Sequence, residues 1–163
     1  MPPDFNWQEI DTVLLDMDGT LLDLAFDSHF WLKLVPETLS QRRGIPLEQA
    51  HKIIHDEYNA VQHTLNWYCF DYWRERLDLD IYAMTTDIGS RARLRQDTVP
   101  FLSGLRQHGL QTILLTNAHP HSLAVKLSTP PLTSTLIYCF PPIHLVIRKK
   151  INGCGKRLRS IPG

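Results

Sequence analysis

The stretch Thr12–Leu24, Thr-Val-Leu-Leu-Asp-Met-Asp-Gly-Thr-Leu-Leu-Asp-Leu, constrains the chain more than any other. Val13, Leu14 and Leu15 form an apolar run without polar alternation, the pattern of a strand buried on both faces in a parallel sheet. The run ends in Asp16 and Asp18, followed at once by Gly19. In open α/β sheets the working groups gather at the carboxyl ends of strands. Two carboxylates at one strand tip repel each other unless a cation sits between them, and oxygen ligands at this spacing suit Mg²⁺. Alternation along the chain puts Asp16 and Asp18 on one side. The bland alternative is a strand ending in an Asp-rich turn, since Asp-Gly is ordinary turn chemistry.

The 163 residues are enough for one domain with a core, and 17 Lys and Arg balance 17 Asp and Glu. That balance sets up no global field directed at nucleic acid or a membrane surface. No apolar run reaches spanning length, and no basic-then-apolar leader is visible at the start. Three cysteines, Cys69, Cys139 and Cys154, lack metal-ligand spacing and are odd in number. They point to a reducing compartment rather than a disulfide framework.

Downstream, Pro36-Glu37 reads as a helix start and Gly44 as its stop. Pro46 opens a helix over about 47–65, with Ala50, Ile53, Ile54, Tyr58 and Val61 as its apolar stripe. An aromatic-rich helix over about 66–77 follows. Residues 25–90 then form a small helical cap, a lid of the kind that closes over a site. A short helix over 91–95 leads to another capped by Thr98, with Phe101, Leu102 and Leu105 facing inward and Gly109 ending it. Thr112–Thr116 is the second buried strand. It pairs in parallel with the first through a right-handed crossover and ends in Thr116-Asn117-Ala118. A helix over 122–127 packs on the sheet.

Asp16-Met17-Asp18-Gly19-Thr20 resembles motif I of the haloacid dehalogenase-like (HAD) hydrolases, and Thr116-Asn117 stands where that family places motif II. The fold implied is α/β: a HAD-like Rossmannoid parallel-sheet core, here incomplete, with an inserted α-helical cap. The core is 1–24 with 91–127, the cap is 25–90, and 128–163 is a tail foreign to the family. The resemblance implies Asp16 as nucleophile through an aspartyl-phosphate and Asp18 as general acid/base. It also implies Mg²⁺ on the Asp16 carboxylate and the main-chain carbonyl of Asp18. Thr116 and the amide of Asn117 would hold phosphate oxygens. Leu14–Asp27, His63–Cys69 and Leu114–His121 look like the bacterial GMP/IMP nucleotidases, cytoplasmic enzymes acting on purine 5′-monophosphates. That implies a small nucleotide substrate and no nucleic-acid or membrane partner, and leaves the oligomeric state unknown. Asn66, Trp67, Tyr68 and Tyr72 are candidates for purine contacts, although aromatics at helical spacing are more often core. His119 and His121 read as a solvated loop, or more sharply as contacts to a leaving group.

The resemblance stops after Leu127. The family's later Lys and acidic metal ligands have no counterpart in 128–163, which holds no Asp or Glu. Read one base out of frame with suitable synonymous codons, 140–155 yields a string containing Gly-Tyr-Pro-Lys, like the family's later lysine motif. A frameshift and early termination are therefore expected. The tail's basic residues, Arg148, Lys149 and Lys150 among them, read as an accidental charge run in a poorly ordered segment. Losing one preorganised charge partner costs on the order of 100- to 1000-fold in rate. Activity of this chain is expected to be weak or lost. A catalytically dead nucleotide-binding module and a non-functional fragment stand as the alternatives.

Overall fold

The structure, a computed structural model, describes residues 6–128 and 144–147; for Trp7 and 144–147 it describes the backbone only. Strand β1 (Thr12–Leu15) pairs in parallel with β2 (Gln111–Thr116), with Thr12 opposite Gln111 and Leu15 opposite Leu114. Almost everything between them is helical. The order is α1 (Ala25–His29), a π-helical turn (Phe30–Leu34), α2 (Val35–Arg43), α3 (Leu47–Val61), α4 (Phe70–Leu77), α5 (Ile81–Asp87) and α6 (Thr98–Gln107). Helix α7 (Pro120–Ser128) follows β2. The fold is α/β, a small parallel sheet with a long helical insertion between its first two strands. No described helix is long and apolar enough to cross a membrane.

The insertion leaves and re-enters the sheet region at one place. The amide of Asp23 donates to the Arg93 carbonyl at 3.1 Å, and the amide of Arg95 to the Leu21 carbonyl at 3.0 Å. Residues 92–95 are therefore extended rather than the short helix expected, because their backbone groups find partners on the outgoing chain. Only Gly89–Arg91 makes a 3-10 turn. Thr98 is likewise not the cap. Asp97 precedes the helix, and the Thr98 hydroxyl donates instead to the Leu21 carbonyl at 2.7 Å, deep in the core.

Inside the insertion, the helix does not start at Pro36. Residues from Ala25 to Arg43 run on continuously, with the π-helical turn Phe30–Leu34 just ahead of the proline. Proline has no N–H to return to the carbonyl four residues back, and a wider turn accommodates that loss without ending the helix. Gly44 does end it, at φ 62°. Helix α3 stops at Val61, short of the expected 65: Gln62 turns extended, His63 takes φ 66°, and Leu65–Tyr68 forms a separate 3-10 turn. Helix α4 accordingly begins only at Phe70, where the Cys69 Sγ accepts from the Tyr72 amide. Cys69 is disulfide-bonded, whereas the cysteine count and spacing point to a reducing compartment rather than a disulfide framework.

Trp73 anchors this region. It is fully buried, its indole N–H donates to the Trp67 carbonyl at 3.0 Å, and its ring meets those of Trp31, Tyr58 and Tyr72 at 5.1–5.3 Å. Helices α2 and α3 pack on each other, and Ala50, Ile54 and Val61 carry the buried stripe of α3.

Three expectations, two of them about the sheet, are corrected. Leu14 is 61% exposed and Phe101 43%, while Leu15, Leu102 and Leu105 are buried. β1 lies at one end of the sheet and is covered on only one of its faces by the described residues. The tail also contributes a strand: β3 (His144–Ile147) pairs in parallel with β2, His144 opposite Ile113 and Ile147 opposite Thr116. With β1 on one side only, β2 would leave a row of N–H and C=O groups open, and a short His-Leu-Val-Ile run suits such an edge. The remainder of the tail, including the basic residues 148–150, lies outside the described residues.

Two substitutions test this architecture. Trp73→Ala is expected to lower stability by about 3–5 kcal/mol in urea unfolding, the range for emptying a large aromatic site. Gly19→Ala, at φ +78° in the loop after β1, is expected to cost about 1–2 kcal/mol, the left-handed backbone penalty.

Candidate active site

The loop after β1 is wound around one carbonyl. Met17 is fully buried, and its carbonyl oxygen accepts from the amides of Thr20, Leu21 and Leu22 at 3.3, 2.9 and 2.9 Å. The Gly19 amide closes the turn on the Leu22 carbonyl at 2.8 Å. With Met17 turned inward, its two neighbours are presented outward. Asp16 is exposed, and among the described residues no hydrogen bond or ion pair engages its carboxylate.

Asp18 is engaged. Its Oδ1 accepts from the Lys126 ammonium at 2.7 Å. Lys126 comes from the last turn of α7 and is 1% exposed. It also donates to both carboxylate oxygens of Asp27, at 2.9 and 2.8 Å, and lies 5.0 Å from the centroid of the Phe26 ring. Asp27 stands in the first turn of α1. Burial raises the Asp27 carboxyl above the usual carboxylate range, and the Lys126 charge opposes that shift without reversing it. Two carboxylates, Asp18 and Asp27, thus share one buried ammonium.

Sequence reasoning passed over Lys126 and gave Asp27 no role beyond its place in the stretch Leu14–Asp27. A signal was present: Lys126 falls three residues after Leu123, on the buried side of α7, where a cation needs an anionic partner.

Thr116 ends β2 at the same edge of the sheet as Asp16; the register puts Leu115, one residue earlier, level with Asp16. Thr116 is buried, and its Oγ1 accepts from the Ala118 amide at 3.1 Å, which leaves the hydroxyl hydrogen uncommitted in that bond. Asn117 is exposed. The histidines that follow are not in a solvated loop. The His119 ring stacks on Phe70 at 4.4 Å and 6°, and His121 Nε2 lies 3.0 Å from the Thr86 hydroxyl and 3.1 Å from the Tyr82 carbonyl. Both tie the end of β2 to helices α4 and α5.

The four candidate purine contacts belong to the 3-10 turn Leu65–Tyr68 and to α4. Asn66 is exposed, Trp67 packs on Tyr58 at 5.1 Å, Tyr68 is 38% exposed, and the Tyr72 hydroxyl donates to Glu57 at 3.4 Å. Among the described residues, no hydrogen bond, ion pair or ring contact joins any of them to Asp16, Asp18 or Thr116. A concavity of about 370 Å³ is lined by Trp31, Pro36, His51, His55 and Tyr58 among others, all from the helical insertion.

The described residues hold no group of three or more His, Cys, Asp or Glu able to share a metal. Two oxygen donors are open, the Asp16 carboxylate and the Asp18 main-chain carbonyl, to which no described backbone amide donates. Mg²⁺ is commonly held by one or two protein oxygens, with water and substrate phosphate completing the shell. The residues present fit such a weakly protein-ligated ion.

The chain is similar to known proteins. A family model described as haloacid dehalogenase-like hydrolase matches residues 10–140, running past Leu127 where the motif resemblance fades. The GMP/IMP nucleotidases YrfG of Escherichia coli and Shigella flexneri are each 64% identical over 121 residues, 74% of this chain and 54% of theirs. The chain thus spans about half the length of the curated relatives it matches. A crystal structure of a HAD phosphatase from Thermococcus onnurineus superposes with a TM-score of 0.67 at 25% identity, covering 85% of this chain and 61% of that one. With most of its length inside the family model, the chain belongs to the haloacid dehalogenase-like hydrolases.

Proposed function

We propose that this chain derives from a Mg²⁺-dependent phosphatase hydrolysing purine 5′-monophosphates, GMP and IMP, in the cytoplasm. The observation that carries the reading is the contrast at the β1 tip: Asp16 exposed and, among the described residues, unengaged, Asp18 two residues on and anchored. The substrate class is taken from the GMP/IMP nucleotidases, which are 64% identical over the shared region.

The chemistry divides between the two carboxylates. An Asp16 oxygen attacks phosphorus, the bond to the leaving nucleoside oxygen breaks, and Asp18 delivers a proton to that oxygen. Asp18 then takes a proton from water as the water oxygen attacks the phosphorus of the aspartyl-phosphate, releasing phosphate and restoring Asp16. The Thr116 hydroxyl and the Asn117 amide hold phosphate oxygens. The Asp16 carboxylate and the Asp18 carbonyl would hold Mg²⁺, which would supply positive charge against the phosphate. In this reading residues 1–24 and 91–127 make the core, 25–90 the cap, and 128–163 an out-of-frame tail.

A specific observation favours reduced activity. Lys126 is the one charged side chain buried among the described residues, and its three hydrogens already face Asp18 and Asp27. It has none left for a phosphate, and phosphoryl transfer depends chiefly on positioning and charge neutralisation. A nucleotide-binding module without turnover is the second reading, supported by the same observation.

Assays of the purified chain with GMP, IMP and Mg²⁺ are expected to give turnover at least about 100-fold below that of a full-length GMP/IMP nucleotidase. Asp16→Asn should abolish what remains and leave nucleotide binding largely intact. Turnover matching the full-length enzyme would refute the loss of activity, and turnover indifferent to Asp16→Asn would refute the nucleophile. The DNA around the Leu127 codon decides the frameshift: one single-base change should restore the family's reading frame.

A further inference from the structure

Asp18 is held from behind. Its Oδ1 is fixed by Lys126 at 2.7 Å, and among the described residues no donor bonds its Oδ2. One oxygen is anchored and the other is left for proton transfer. Lys126 is on a long side chain with four rotatable bonds, so by itself it would hold Asp18 loosely. Two features remove that freedom. The stem and ammonium are buried beside Phe26, at 1% exposure. Asp27 then takes two of the three ammonium hydrogens, one on each carboxylate oxygen, at 2.9 and 2.8 Å, which leaves the third hydrogen directed at Asp18.

We propose that Lys126 is a positioning residue for Asp18, kept in place by Asp27. The proposal rests on reading Asp18 as the general acid/base and deepens it. The three side chains come from three parts of the chain: the loop after β1, the first turn of the helical insertion, and the last turn of the helix after β2. Supporting contacts of this kind orient a reacting group without touching substrate, and losing one commonly lowers activity about 10- to 100-fold.

The test reads the Asp18 side chain itself. In the ¹³C,¹⁵N-labelled chain, three-bond couplings from the backbone nitrogen and carbonyl carbon to the Asp18 carboxyl carbon report its first side-chain torsion. One rotamer is expected in the unaltered chain and averaged couplings in Lys126→Met. Asp27→Asn, which keeps the ammonium and removes only its second anchor, should give partial averaging. Unchanged couplings in folded Lys126→Met would overturn the proposal. If that variant does not fold, unchanged couplings in Asp27→Asn overturn it instead. Turnover of GMP, measured in parallel, should fall about 10- to 100-fold in kcat with KM nearly constant. Should the unaltered chain show no turnover that Asp16→Asn removes, the phosphatase reading fails, while the Asp18 couplings still decide the role of Lys126.

Discussion

A parallel pair of strands cannot be closed by a turn. The chain leaving the end of β1 must travel back along the sheet before β2 can start, and here it covers residues 16 to 110 in doing so. Every helix from α1 to α6 is part of that crossover. The connection stays anchored because its two ends meet: residues 21–23 hydrogen-bond to residues 93–95, and Thr98 donates to Leu21 beneath them. The helices can therefore pack as a unit around Trp73 without dragging the strand tips apart. The same constraint puts the ends of β1 and β2 side by side, which is why Asp16 and Thr116 share one edge of the sheet although 100 residues separate them.

Charge is the second organising quantity. Acidic side chains cluster where the insertion departs, and a fully buried ammonium is tolerated only because anionic oxygens take up its hydrogens. A buried ion pair is weak evidence for stability, since desolvation offsets much of the attraction. Its value here is geometric. Lys126 joins the loop after β1, the start of α1 and the end of α7 at a single point, and Asp27 stays harder to ionise than an exposed carboxyl because burial outweighs the nearby cation.

Much of this could be read along the chain. The apolar run into Asp16 and Asp18, the strand ending at Thr116, the glycine stop at Gly44 and the stripe of α3 all depend on neighbours within a few residues. What failed depends on distant ones. Pro36 looks like a helix start until the preceding turn widens to take it. Thr98 looks like a cap until the Leu21 carbonyl arrives from 77 residues away. Leu14 and Phe101 look buried, but the described residues do not cover them. Residues 144–147 carry no alternation of their own and become a strand because β2 has an open edge.

By itself, then, the sequence determined the parallel α/β class, the two acids at the first strand tip and the hydroxyl at the second, because hydrophobic period and turn chemistry are local properties. Only the tertiary structure decided that Lys126 belongs with Asp18 and Asp27, and that His119 and His121 dock on α4 and α5. Those contacts join residues 35 to 108 positions apart. A buried charge finds its partner through the folded packing of the whole chain, which no local pattern encodes.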